Sequence, residues 1–313
     1  MNAPAPLPTA QSDGVPLRVR ALDGYELGGY FFDAKWEAPG QRQAPAQVAV
    51  LHCGAGIRAL RYRRFAAFLA ESGIPTLCYD YRGIGVSRPR ALRGFRASIE
   101  DWAEYDCGGA IAWARERYPR ARIIGIAHSI GALLVGGAHN SAEQGQLVLI
   151  GGHTGYYGDY HPRYRLPMTA VWHALMPAVT LVMGYFPARR LGLGEDLPAR
   201  VALQWAGRRT GDLRPAGSES GYDRVQTLLD RCAALQRPAT LVSVSDDAFA
   251  TTSGTKRLLS FYPRLFPITH AAYSPADAGT RRIGHFGFFG RSAGAALWPR
   301  LLAQLGPSRN SGS

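Results

Sequence analysis

The sequence predicts an α/β fold: a mostly parallel sheet covered on both faces by helices, with one inserted, mostly helical cap. Three observations predict it. Short apolar runs alternate with helical patterns over residues 47–150, and again from residue 238 to the last helix. One alternation, residues 123–137 (IIGIAHSIGALLVGG), passes from strand to helix across Ala127-His128-Ser129-Ile130-Gly131. The alternation stops over residues 151–221, where aromatics, His, Pro and Arg gather without strand signals.

Taken in order, residues 1–14 are rich in Pro and Ala and are expected to be a disordered tail. Residues 16–21 and 25–33 read as strands joined at Asp23-Gly24, a hairpin signal. Residues 47–53 (QVAVLHC) form a buried strand, Gly54-Ala55-Gly56 opens the following loop, and residues 62–72 carry a helical period. Residues 75–81 (PTLCYDY) give the next strand. Ser98-Ile99-Glu100-Asp101 resembles a capping box and starts a helix running to about residue 117. The strand beginning at Arg122 leads into the serine turn, and residues 147–150 form the strand after it. Beyond the cap, residues 238–247 (PATLVSVSDD) form a strand ending in two acids, and Ile268–Tyr273 reads as one more. A helix near residues 293–305 closes the fold, and residues 307–313 form a flexible tail. The core is therefore expected over residues 15–150 and 222–306, with the cap over 151–221.

Inside the cap, residues 166–187 (LPMTAVWHALMPAVTLVMGYFP) carry no acid or base except His173, and Arg163, Arg165, Arg189 and Arg190 flank them. The stretch is long enough to span a bilayer. However, Pro167, Pro177 and Pro187 interrupt it, and it lies between strands of one sheet. The expectation is two short helices broken near Pro177, without stable membrane insertion, covering Ser129. Trp172, Leu175, Leu181 and Met183 would line a pocket for an apolar acyl group.

Composition narrows the function classes. Of 313 residues 46% are hydrophobic, ordinary for a soluble globular protein. The formal charge is +13, but Lys35 and Lys256 are the only lysines among 36 basic residues, and the arginines are spread along the chain. That is a compositional bias rather than a basic patch, so no nucleic-acid partner is expected. The four cysteines show no metal or disulfide spacing, and Cys53 and Cys78 sit in apolar runs. The first residues lack a charged n-region and an apolar h-region, which gives a cytoplasmic expectation. Either a monomer or a homo-oligomer is compatible with the sequence.

The chemistry centres on Ser129. In a tight strand-to-helix turn the serine is held in a strained backbone conformation, so residues two positions away must be small, as Ala127 and Gly131 are. The hydroxyl then projects at a helix N-terminus, where developing negative charge is favoured. A serine is a weak nucleophile at its free pKa and needs a base, which in turn needs an orienting acid. Both belong on loops at the carboxyl ends of strands. Asp246 and Asp247 are candidate acids, and His285, in a Gly-flanked loop, is the candidate base. His139, His153, His161, His173 and His270 lack that setting and read as surface or cap residues, while His128 would point away from the turn and His52 shapes the next loop. Backbone N–H groups of Ile130 and Ala55 are the candidate oxyanion donors. No His/Cys/acid cluster has metal-ligand spacing, so neither metal nor cofactor is expected.

Three pieces of this sequence carry a family resemblance. They are the turn at Ser129, the run Asp80-Tyr81-Arg82-Gly83-Ile84-Gly85-Val86-Ser87, and the loop Gly284-His285-Phe286-Gly287-Phe288-Phe289. From about residue 47 to the last helix the chain resembles the α/β-hydrolase superfamily, and within it the serine aminopeptidase S33-like predicted hydrolases. The cap runs Gly184-Tyr185-Phe186-Pro187 and Leu191-Gly192-Leu193-Gly194-Glu195-Asp196-Leu197-Pro198 fit a bacterial subgroup of these. The resemblance implies the α/β-hydrolase fold, with the Asp80–Ser87 run bracing the serine turn. It also implies a covalent acyl-enzyme with Ser129 as nucleophile, His285 as base then acid, and Asp247 as the orienting acid. Ala127 departs from the usual glycine. Ser129 excludes a dehalogenase, which needs a carboxylate there. Hydrolysis of a small-molecule ester or thioester is the leading expectation. An acyltransferase using the same acyl-enzyme and a catalytically silent binding protein are the alternatives.

Overall fold

The computed structural model describes residues 14–34, 44–208, 211–213 and 219–306. The expected tails therefore lie outside the described residues, apart from Gly14.

Eight strands form one sheet in the order β1-β2-β4-β3-β5-β6-β9-β10. They are β1 (Val15–Arg20), β2 (Glu26–Phe32), β3 (Gln47–His52), β4 (Thr76–Tyr79), β5 (Arg122–His128), β6 (Gln144–Ile150), β9 (Ala239–Val244) and β10 (Ile268–Tyr273). β1 and β2 pair antiparallel across the turn at Gly24, and β2 runs antiparallel to β4. The six strands from β4 to β10 are parallel. Every residue of β3 is buried, which explains its unbroken apolar run, since a strand covered on both faces cannot alternate.

Helices flank the sheet where the sequence places them. Arg63–Glu71 packs against the closing helix Arg291–Leu305 through Phe65, Phe68 and Trp298. The capping box is realised in full: Ser98 Oγ accepts the Asp101 amide, and Asp101 accepts the Ser98 amide. The helix it opens passes through a π-turn, Trp102–Asp106, into Cys107–Arg117. All four cysteines are free and buried.

The Asp80–Ser87 run is a brace, aimed differently from the expectation. Asp80 accepts the amides of Ala59 and Val86, so it secures the loop after β3 rather than the serine turn itself. Arg82 is clamped between Asp106 and Asp23.

Between β6 and the next core helix, Glu219–Ala234, lies the inserted region, and here the structure departs most from the sequence reading. Residues Pro162–Met183 form one continuous helix, not two. A π-turn, Val171–Leu175, precedes Pro177. The widened turn relieves the clash between a proline ring and the carbonyl four residues back, so the helix continues. The helix is long and apolar enough to cross a membrane, and only 11% of its most apolar stretch is buried inside the protein. Leu166, Leu181 and Val182 are at least 73% exposed. Met176 and Thr180 face inward and are buried. A two-stranded hairpin follows, β7 (Tyr185–Phe186) with β8 (Leu197–Pro198). Its loop is latched to the core, because the Glu195 amide donates to the Gly56 carbonyl at 2.8 Å. Gly194 has φ +110° and a side chain there would meet the Gly56 carbonyl oxygen, which gives the Gly194-Glu195 pair a structural reason.

Candidate active site

At the carboxyl end of β5 the backbone turns through Ser129, whose φ of 58° is the only positive value for a non-glycine among the described residues. Such strain persists only where the surroundings over-determine it. Gly131 explains much of the constraint: a β-carbon there would lie 2.6 and 2.7 Å from the carbonyl oxygens of His52 and Cys53. On the other flank Ala127 is fully buried between its partners in β3 and β6, which leave room for a methyl group. The helix that follows, Gly131–Leu134, has Ile130 as its N-cap, so the Ile130 amide lies at its positive end.

The structure brings Ser129, His285 and Asp247 together. Ser129 Oγ lies 2.9 Å from His285 Nε2, and His285 Nδ1 lies 2.7 Å from Asp247 Oδ2. Asp247 Oδ1 also accepts the amides of Phe249 and Ala250. Burial would raise the Asp247 pKa, but the hydrogen bond and charge of His285 and the two amides outweigh it and hold it near 2. An ionised Asp247 must accept from His285 Nδ1–H, which leaves Nε2 free to accept the serine proton. Asp246 serves a different purpose. Its two oxygens accept the Ile283 and Gly284 amides, fastening the start of the short helical turn Gly284–Gly287 that presents His285.

His128 points away from the serine oxygen, as the turn geometry predicts. The Gly54 amide donates to Tyr62 Oη, whose proton goes to His128 Nδ1 at 2.9 Å. His128 Nε2–H then donates to the His285 carbonyl at 3.0 Å. Burial and the neighbouring His285 depress its pKa well below the usual value, so it is a neutral strut under the base.

His153 is the residue that sequence reasoning missed. The expectation of a surface or cap residue fails: His153 is buried, and its Nε2 lies 3.1 Å from Ser129 Oγ. The readable signal was Gly151-Gly152-His153, directly following β6, the neighbour of the serine strand. That is the strand-end setting required of His285. Burial, then the charges of His285 and Arg208 against that of Asp247, push the His153 pKa down to about 3.

Above these groups opens a cavity of about 940 Å³. Ser129, His153 and His285 form its floor; Ala55, Phe249 and Phe286 line its walls, and Met168 and Trp172 hang from the cap helix. Of the four cap residues expected here only Trp172 is in place. Leu175, Leu181 and Met183 do not line it, because the unbroken helix turns Leu175 and Leu181 outward, where they are exposed. The rim carries Arg58, Arg61, Arg63 and Arg189, with Glu195 paired to Arg58 and Arg189. Among the described residues no group of three or more His, Cys, Asp or Glu side chains could hold a metal ion.

Known proteins resemble this chain in sequence family and in fold. Residues 43–264 match the family described as serine aminopeptidase, S33. The chain belongs to that family. Its fold is the α/β-hydrolase fold, which three solved structures share at low identity. An esterase from Pyrococcus furiosus superposes with a TM-score of 0.59 at 15% identity, covering 97% of each chain. An esterase from Exiguobacterium antarcticum gives 0.57 at 12%, over 93% of this chain and 99% of that one. A soluble variant of the monoglyceride lipase from Saccharomyces cerevisiae, solved with a substrate analogue, gives 0.61 at 15%, over 96% and 98%.

Proposed function

We propose that this S33-family chain is a serine hydrolase that cleaves carboxylic esters or thioesters of small molecules with apolar acyl groups. The observation that carries the reading is the strained Ser129, its Oγ 2.9 Å from a histidine that is itself held by a buried carboxylate. Ser129 attacks the acyl carbon as its proton passes to His285 Nε2, and the ionised Asp247 stabilises the imidazolium that results. The amides of Ile130 and Ala55 receive the developing oxyanion, a donor pair in which each member is worth about 2.7–4 kcal/mol of barrier. His285 then protonates the leaving group, and water repeats the sequence to release the acid.

The substrate class follows from the cavity. Phe249, Phe286, Met168 and Trp172 offer apolar surface next to Ser129. A free-amino-terminus peptide would need an unpaired carboxylate to receive its ammonium group. Glu195, the one acid among the described residues that line the cavity, is already engaged by Arg58 and Arg189. Ester chemistry therefore fits better than the aminopeptidase activity in the family's description, and it accords with the esterases and the lipase that share the fold.

The test is labelling with a fluorophosphonate probe, together with turnover of p-nitrophenyl esters of graded chain length. Wild type is expected to label on Ser129 and to prefer butyryl or longer chains over acetyl, whereas Ser129→Ala should neither label nor turn over. Labelling that survives in Ser129→Ala, or release of amino-terminal residues from peptides in preference to ester cleavage, would overturn the proposal.

A further inference from the structure

The site contains a second imidazole that a Ser–His–Asp mechanism leaves without work. Its protonation is fixed by contacts. The Gly155 amide donates to His153 Nδ1 at 2.9 Å, so that nitrogen holds no proton. A neutral imidazole carries its one proton on the other nitrogen. That nitrogen, Nε2, faces Ser129 Oγ at 3.1 Å. The serine hydroxyl is committed on its other side, because His285 gives its Nδ1 proton to Asp247 and offers only a lone pair at Nε2. Ser129 Oγ thus donates to His285 and accepts from His153.

We infer that His153 is a further catalytic residue, a fixed neutral N–H donor that holds charge on the nucleophile oxygen both when Oγ attacks and when it leaves. The inference rests on Ser129 being the nucleophile. During acylation the Oγ proton moves to His285 Nε2, an Oγ lone pair forms the bond to the acyl carbon, and the carbonyl π pair moves onto its own oxygen. The π bond then re-forms, the bond from the acyl carbon to the leaving group breaks, and the leaving group takes the proton from His285. During deacylation a water oxygen bonds to the acyl carbon as one of its protons passes to His285 and the carbonyl π pair moves onto its own oxygen. The π bond then re-forms as the C–Oγ bond breaks, its electron pair returns to Oγ, and Oγ takes the proton from His285. His153 surrenders no proton in either half. It holds the serine oxygen, whereas the backbone amides hold the carbonyl oxygen, so the two sets of donors divide the charge between them.

The surroundings keep His153 neutral and in place. It is buried, and its ring centroid is 5.3 Å from that of His285, so a charge on it would oppose the imidazolium that catalysis requires. Arg208 donates to the Thr154 carbonyl, which fastens the loop carrying Gly155 and adds a second cation against protonation. The same contacts exclude a second general base, since Nδ1 is occupied and Nε2 has no lone pair available.

His153→Phe keeps an aromatic ring and removes the donor, whereas His153→Gln supplies an amide N–H. Both are compared with wild type by the second-order rate of fluorophosphonate labelling and by kcat and KM on p-nitrophenyl butyrate. His153→Phe is expected to lose about 10- to 100-fold in labelling rate and in kcat, with KM within about twofold, and His153→Gln to recover at least about tenfold of it. The ¹⁵N spectrum of the wild-type imidazoles should show His153 neutral with its proton on Nε2 from pH 5 to 8, a readout that needs no variant to fold. Labelling of His153→Phe within twofold of wild type, a Gln variant no better than Phe, or a proton on Nδ1 would overturn the inference. If Ser129→Ala remains labelled, the nucleophile assignment itself fails. If Ser129→Ala is silent while His153→Phe labels normally, only the role of His153 fails.

Discussion

The floor and the roof of the cavity are built on opposite principles. On the floor and directly beneath it, Ser129, His128, His153 and Asp247 are polar and buried, and each makes hydrogen bonds that fix its direction. In the roof the cap helix is apolar on its outer face as well as its inner one, and its most exposed apolar side chains are Leu166, Leu181 and Val182. A buried polar group without a partner costs roughly 1–3 kcal/mol, so the floor tolerates few arrangements. Exposed apolar groups carry no comparable geometric demand, so the roof tolerates many. Substitutions on the floor should therefore act through direction and charge, and substitutions in the roof through shape alone.

The two adjacent acids give the largest expected contrast. Asp247→Asn replaces the acceptor of the His285 Nδ1 proton by a group that can present a donor and stabilise the wrong tautomer. It should lower kcat by about 10³- to 10⁴-fold. Asp246→Asn keeps one oxygen for the Ile283 and Gly284 amides and should stay within about tenfold, or about 1.4 kcal/mol of barrier. Steady-state kinetics of both variants decide it, and the reverse ranking would mean that the loop carrying His285 is placed differently in solution.

The floor also predicts a pH profile. Asp247, near 2, stays ionised and His153, near 3, stays neutral throughout the range from pH 4 to 8. Activity needs an unprotonated base, so log kcat/KM should rise with pH through a single ionisation, with a limiting slope of one on the acid side, that is tenfold per pH unit. A slope approaching two above pH 4 would show that a second group of the floor must lose a proton. Gly131→Ala tests the backbone beneath: the added methyl has no room beside the carbonyls of His52 and Cys53, and the expected cost is about 1–3 kcal/mol in urea unfolding. Ala127→Gly should cost about 1 kcal/mol or less.

The same contrast explains what was legible in the sequence. The Ser129 turn could be read because its demands are local: strand, small residue, serine, small residue, helix. The parallel sheet could be read from its unbroken apolar runs, and β10 fell where Ile268–Tyr273 was expected. His153 was overlooked because its role depends on which strand lies beside β5, and pairing order is not written in a strand's own residues. The cap was misread for a related reason. Pro177 is a helix breaker only if no π-turn precedes it, and apolar side chains signal burial only if something covers them.

The smallest expected effect separates the two faces of the roof. Trp172 lines the cavity and packs against Trp205 at 5.9 Å, so Trp172→Ala removes apolar surface that a long acyl chain would cover. It should reduce kcat/KM for octanoyl esters by about tenfold while acetyl esters change by about twofold or less, since a few buried methylenes are worth about 0.8 kcal/mol each. Leu181, 73% exposed on the other face, touches neither the floor nor the chain-binding wall. Leu181→Asp should therefore leave the ratio of octanoyl to acetyl hydrolysis unchanged and shift stability by no more than about 0.5 kcal/mol. The pair is measured with soluble esters below their aggregation limit, so that only binding inside the cavity is compared. A Leu181→Asp variant that loses octanoyl activity as Trp172→Ala does would mean that the helix rotates or closes when substrate binds, bringing its outer face into the site. Equal loss of acetyl and octanoyl turnover in Trp172→Ala would mean that Trp172 supports the floor and not the acyl chain.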